Sequence, residues 1–162
     1  MNYGYFDDPN REYVITNPRT PAKWINYIGT LQFGGFVDHT GGALICKQDP
    51  TFNRITKYIQ QMASSDFKGE TLYLRVPLSP TTRAERSDSI DEAQGYKVLS
   101  PFFVPTLNAY DKYECRVGLG YTRIISEMYG IRTEVTIFVP SRAEAEVRDI
   151  KVTNISDQPI DV

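Results

Sequence analysis

Apolar and polar positions alternate along several runs of this chain, with a period of two rather than 3.6. Leu72, Leu74 and Val76 share one face of TLYLRV. Ile131, Thr133, Val135, Ile137 and Val139 share one face of IRTEVTIFV, while Arg132, Glu134 and Thr136 point the other way. Alternation of this kind predicts strands with one buried face and one wet face. The stretch YECRVGLGYTRIISEMYGIRTEVTIFVP, residues 113–140, is predicted as a single β-hairpin. Its first arm is polar and kinked at GLG, and Met128-Tyr129-Gly130 supplies the turn.

Further strands are expected at REYVIT, GGFVDHT, GGALICK, RITKYI and VRDIKVTN, with Gly41-Gly42 as a tight turn or a bulge between two of them. No segment makes a long amphipathic helix; short helical turns are expected around Asp49–Asn53 and Ala63–Asp66. SPTTRAERSDSIDEAQGY, from Ser79 to Tyr96, carries almost no apolar payload and is predicted as an exposed loop. After VRDIKVTN come a polar turn, ISDQP, and three residues, IDV, that read as the start of a returning strand. A three-residue arm cannot cover its own apolar side, so the expectation is the front part of something longer.

Composition supports an all-β domain. The chain has 162 residues, 11 tyrosines and 8 phenylalanines, with 41% hydrophobic and 23% charged positions. A net charge of −2 gives no electrostatic footprint for nucleic acid. No apolar run approaches 18 residues, so no membrane partner is expected. The polar start, MNYGYFDDPNREYV, lacks an apolar signal core, and a cytoplasmic location is expected. Cys46 and Cys115 are then expected as free thiols.

Catalytic patterns are scarce. His39, the one histidine, has no partners at metal-ligand spacing, and no G-x-S-x-G element accompanies it. It is expected to be structural or surface-facing. Asp7-Asp8 and Asp91-Glu92 are neighbours in polar loops, where carboxylates are solvated rather than poised for glycoside chemistry. GLG at 118–120 is neither a dinucleotide fingerprint nor a phosphate loop, because no third glycine and no helix follow. Trp24, Tyr27, Phe33, Phe36, Tyr110, Tyr113 and Tyr121, with Arg116 and Arg123, are the residue types that sugar-binding surfaces use, although a sandwich would take most of these rings into its core.

Longer segments carry a resemblance. YGYFDDPNREYVITNPRTPAKWINYIGT at 3–30 resembles the amino-terminal signature of the cellobiose phosphorylase family: Y-G-x-F-D, then R-E-Y-V-I, then P-x-P-W-x-N-Y-x-G. NRITKYI at 53–59 is similar to that family's R-I-T-R-Y, and YECRVGLGYTRI to its Y-E-C-R-H-G-L-G-Y-T-R-I. GIRTEVTIFVP and VTNISDQP continue in register, so the resemblance spans essentially the whole chain. It departs at Ala22-Lys23, where the middle proline is absent; at DHTGGALICK, where the family commonly reads N-T-A-G-G-Y-S-F-Y; and at Val117, which replaces the histidine before GLGY.

The resemblance implies a large antiparallel β-sandwich of the supersandwich, galactose mutarotase-like type, of which residues 1–162 are the amino-terminal part. It also implies an (α/α)6 catalytic barrel absent from this chain. The implied activity is inverting phosphorolysis of a β-linked glucose disaccharide or oligosaccharide to α-glucose 1-phosphate, cellobiose being the leading substrate. Inorganic phosphate is the co-substrate and no cofactor is implied. The barrel supplies the general acid, so no catalytic residue is carried over here. The sandwich supports a homodimer and walls the substrate cleft, and Arg116, Tyr121, Arg123 and His39 are the candidate cleft or interface residues. Against a role at a cleft stands pairing of the two arginines with carboxylates such as Glu114 or Glu134, with the glycines forming a bulge. Two alternatives stay open for the whole chain: a free-standing carbohydrate-binding module, and a dimerisation module.

Overall fold

The computed structural model describes residues 2–57, 70–77 and 95–162. The expected turn at Ala63–Asp66, the last two residues of RITKYI and nearly all of the Ser79–Tyr96 loop lie outside the described residues.

Eleven strands follow in chain order: β1 (Gly4–Asp7), β2 (Glu12–Ile15), β3 (Ile25–Gly29), β4 (Phe33–Asp38), β5 (Ala43–Lys47), β6 (Leu74–Pro77), β7 (Tyr96–Leu99), β8 (Lys112–Gly118), β9 (Tyr121–Met128), β10 (Ile131–Phe138) and β11 (Val147–Asn154). They form a six-stranded sheet in the order β1-β2-β8-β9-β10-β11, a three-stranded sheet β3-β4-β5, and the pair β6-β7. Every pairing among them is antiparallel. The described regular structure is therefore all-β apart from one 3₁₀ turn at Asp8–Asn10.

The core lies between the two larger sheets. Ile15, Cys115, Ile124, Val135 and Ile137 project from one side of the six-stranded sheet against Ile28, Phe33, Val37, Ala43 and Ile45, with Phe102 and Phe103 closing the space. Two antiparallel sheets facing each other over such a layer make a β-sandwich. A smaller cluster, Val76, Leu99, Met128 and Ile131, seats the β6-β7 pair at the far end of β9 and β10. The alternation read along IRTEVTIFV holds: Ile131, Thr133, Val135 and Ile137 are buried and the intervening residues are not.

Three expectations change. Residues 113–140 form two hairpins rather than one, because GLG is a turn and not a kink. Gly118 pairs with Tyr121, leaving Leu119-Gly120 as the connection; Gly120 takes φ +80° and the Leu119 side chain is 97% exposed. The second turn has positive φ at both Tyr129 (52°) and Gly130 (74°), as a type I′ hairpin requires. RITKYI contributes only an isolated bridge, Arg54 to Cys46, within its described part. Residues 159–162 form no strand; Ile160 instead packs on the smaller cluster.

Two turn expectations hold. The Asn53 amide donates to Asp49 O at 2.9 Å, a single helical turn, and Gly41 (φ +93°) sits in the β4–β5 connection.

Candidate functional site

Three of the four candidate residues converge on a carboxylate that the sequence pattern does not single out. The side of the six-stranded sheet away from the core carries Glu12, Glu114, Arg116, Tyr121 and Arg123. Glu12 is only 4% exposed. Its Oε1 accepts from the Tyr121 hydroxyl at 2.6 Å and from Arg123 at 2.8 Å, and its Oε2 accepts from Arg116 Nη1 at 2.9 Å. The same Nη1 donates to Asp7 at 2.9 Å, while Arg116 Nε donates to Glu114 at 2.9 Å and Lys112 pairs with the other Glu114 oxygen at 3.1 Å. Arg116 thus finds Glu114 as expected, but Arg123 turns to Glu12 rather than to Glu134.

Burial, the largest single influence, raises the Glu12 pKa, but the hydrogen bonds from Tyr121 and Arg116 and the two guanidinium charges together outweigh it and lower the pKa. Burial likewise opposes ionisation of Glu114, and Lys112 and Arg116 overcome it. The Asn10 amide, then Arg116, lowers Asp7. The bond to Glu12 raises the Tyr121 phenol above its ordinary value and does the same, more strongly, for Arg116. An ionised carboxylate held by three donors has no proton to give and is fixed in place by its partners. This cluster clamps β1, β2, β8 and β9 together.

His39 lies elsewhere, in the β4–β5 turn between the sheets, and is 2% exposed. Its Nδ1 accepts from the Trp24 backbone amide at 3.2 Å, which places the imidazole proton on Nε2; Nε2 donates to Pro18 O at 3.0 Å and lies 2.9 Å from Thr20 Oγ1. Burial, the largest influence, pushes the His39 pKa below its ordinary value. The Tyr113 hydroxyl donates to His39 O at 2.6 Å. Beside it Asp38, 1% exposed, takes Thr40 N at 2.7 Å and Thr40 Oγ1 at 2.6 Å on one oxygen and Lys23 Nζ at 3.2 Å on the other. Lys23 also donates to Thr40 Oγ1. The residues 18–23 and the β4–β5 turn enclose, with Phe103 and Val104, a cleft of about 520 Å³.

Most of the aromatic residues considered for sugar stacking are structural. Phe33 and Tyr113 are buried, and Trp24 and Tyr110 pack partly buried against the core. Tyr27 alone among them is strongly exposed (73%), edge-on to Phe36 at 6.3 Å on the outer side of the three-stranded sheet. Among the described residues no group of three His, Cys, Asp or Glu side chains is placed to hold a metal ion. Both cysteines are free thiols, Cys115 buried and Cys46 partly so.

The family described as "Glycosyl hydrolase 94, supersandwich domain" matches residues 11–80 and 90–162. The N,N'-diacetylchitobiose phosphorylases of Vibrio proteolyticus and Vibrio furnissii are 36% and 37% identical to this chain, each over 98% of it and over 18% of the relative's own length. The 3-O-beta-D-glucopyranosyl-beta-D-glucuronide phosphorylase of Paenibacillus borealis is 28% identical over 97% of the chain and 17% of its own length. The chain thus spans less than a fifth of the length of these relatives. With the two facing antiparallel sheets already in place, the match settles its kinship: the chain belongs to the glycosyl hydrolase 94 supersandwich domain family.

Proposed function

We propose that this chain is the supersandwich portion of an enzyme that phosphorolyses a β-linked disaccharide, with inorganic phosphate as co-substrate and inversion to an α-sugar 1-phosphate. The observation that carries the reading is the 36–37% identity to two phosphorylases over nearly the whole chain. In a single inverting displacement phosphate takes the place of the activated water, so one protein carboxyl group acting as general acid suffices. Glu12 and Asp38 are each held by two or more donors, so neither is suited to act as that acid. By its resemblance to the cellobiose phosphorylase family, the acid would belong to a catalytic barrel outside residues 1–162, and this chain supports the fold, a homodimer contact and one wall of the cleft.

Cellobiose is one substrate of this class. The relatives at 36–37% identity are named for N,N'-diacetylchitobiose, which makes that disaccharide the first to test and cellobiose the second. A cytoplasmic location suits the two unpaired thiols, and among the described residues no helix is long and apolar enough to cross a membrane.

The test is phosphate-dependent release of sugar 1-phosphate by the full gene product, with the 162-residue chain as control. Activity of the full product with a β-linked disaccharide and none from the chain alone is the expected result. Absence of phosphorolysis across a panel of such disaccharides would overturn it. The exposed Tyr27 ring, edge-on to the half-buried Phe36, favours a second reading, a carbohydrate-binding surface. Saturable binding of a β-linked glucan by the chain, lost in Tyr27→Ala, would support that instead.

A further inference from the structure

We propose that His39 is a pH-sensitive clasp: in its neutral form it ties residues 17–24 down over the β4–β5 turn, and its protonation releases them and opens the cleft they wall.

The geometry admits only one protonation state. The ring bridges two points of the same segment, accepting from Trp24 N at Nδ1 (3.2 Å) and donating to Pro18 O from Nε2 (3.0 Å). Adding a proton at Nδ1 turns that acceptor into a second donor, so two N–H groups then face each other across a hydrogen-bond distance. No water-exposed route relieves this, since His39 is 2% exposed. Three further ties from the segment to the turn do not depend on the ring: the Lys23–Asp38 ion pair, Lys23 donating to Thr40 Oγ1, and His39 N donating to Trp24 O at 2.9 Å. The clasp is thus a local element and not the whole of the fold.

The surrounding charges are few. Burial, the largest influence, lowers the pKa, and Lys23, on the tied segment, acts in the same direction; together they outweigh the bond to Pro18 and the charge of Asp38, on the turn itself, which favour the imidazolium. Arg19 adds a further cation to the cleft lining, its guanidinium 4.9 Å above the Phe103 ring. From β8, Tyr113 and Cys115 face the turn as neutral groups, because burial pushes both far above their ordinary values. When the segment is open, His39 returns to an ordinary imidazole pKa of about 6.5. A group with a lowered pKa in the closed state contributes its stabilisation fully above that ordinary value and loses it as pH falls through and below it. Acidification below about 6.5 therefore favours opening, by up to about tenfold per pH unit for the one proton taken up.

The chain is convenient to test because it holds one histidine and one tryptophan, with the His39 and Trp24 rings 6.4 Å apart. Amide hydrogen exchange of residues 17–24, corrected for the intrinsic pH dependence of exchange, is measured from about pH 8 to 4.5, with far-UV circular dichroism as the control for global unfolding. The expected result is exchange in this segment that quickens toward about tenfold per pH unit below about 6.5, while the β9–β10 amides and the dichroism stay unchanged. His39→Asn keeps an acceptor near the Nδ1 position and cannot titrate; His39→Gln keeps a donor near the Nε2 position and likewise cannot titrate. Either variant that folds should show no acid-dependent step, and Trp24 emission should lose its matching transition. Unchanged protection of residues 17–24 down to about pH 4.5 in the unaltered chain would overturn the proposal. So would opening that coincides with loss of the whole sheet, or the same step in a variant without the imidazole.

Discussion

The ring of Tyr121 stands where a side chain on Gly118 would have to be. The two residues pair across the β8–β9 turn, and a β-carbon built on Gly118 would lie 2.3 Å from Tyr121 Cζ and 2.7 Å from its hydroxyl oxygen. The glycine is thus a space for a phenol that crosses its own hairpin to reach Glu12 at 2.6 Å. Covering a strand glycine with a cross-strand aromatic is a known way to hold such a position in a sheet. Gly118→Ala should displace the ring and break the bond to Glu12, costing about 1–3 kcal/mol. Urea denaturation measures it, and the cost should shrink when Tyr121 is already alanine, since the clash then has no second party. Equal costs in both backgrounds would show that the ring is not what the glycine accommodates.

Gly120 is a control with a different physics. Nothing lies within 4 Å of a β-carbon there, but φ is +80°. Gly120→Ala is expected to cost about 1–2 kcal/mol from backbone strain alone, and that cost should be independent of Tyr121. Gly120→Asn should recover part of it, because asparagine tolerates left-handed backbone better than alanine. The same urea midpoints serve for comparison.

Glu12 carries the most charge-dependent contribution of the outer cluster. Removing one partner of a buried pair leaves the others uncompensated, so Glu12→Gln should destabilise by about 3 kcal/mol near neutral pH. The sign with pH follows from its lowered pKa: the stabilisation is present above the ordinary carboxylate value near 4.5 and is lost as pH falls through the lower, folded-state value. The difference between Glu12→Gln and the unaltered chain should therefore narrow on acidification below pH 4.5. A constant gap between about pH 7 and 3 in urea midpoints would show that packing, not charge, sets the loss.

The alternation along IRTEVTIFV is enough to place β10 and its buried face, because a long strand with one face in the core must repeat every second residue. The family resemblance points to the supersandwich. The GLG turn escapes the pattern because Leu119 looks like a continuation of the apolar run, when its side chain is almost wholly in water. Arg116, Tyr121 and Arg123 are legible as unusual residues in a strand, but their partner is not. Glu12 lies 104 residues before Arg116, and only the pairing of β2 with β8 brings them together. The sequence alone leaves His39 structural or surface-facing; its burial excludes the surface, although nothing local to DHTGG specifies that Pro18 and Trp24 close over it.

Arg148 offers the last and broadest test of how the layers are joined. Starting from β11, its guanidinium pairs with Glu70 at 2.6 Å, donates to Glu146 at 2.7 Å and to Gly41 O at 3.2 Å, and lies 5.4 Å above the Phe102 ring. One side chain thus connects the six-stranded sheet to the β4–β5 turn of the opposite sheet. Burial, despite Arg148 alongside, raises the Glu146 pKa, with Glu70 adding to the effect. A carboxyl with a raised folded-state pKa contributes most below its ordinary value, and that contribution is lost as pH rises through the folded-state value. Arg148→Ala should cost about 3 kcal/mol at pH 7 by leaving Glu146 buried without its cation. Glu146→Gln, which keeps an acceptor for Arg148 Nε but sheds the charge, should hold its stability from about pH 5 to 8 better than the unaltered chain does. Thermal melts of the two variants across that range decide it: parallel pH profiles for Glu146→Gln and the unaltered chain would mean that Glu146 is already ionised and solvated in the fold.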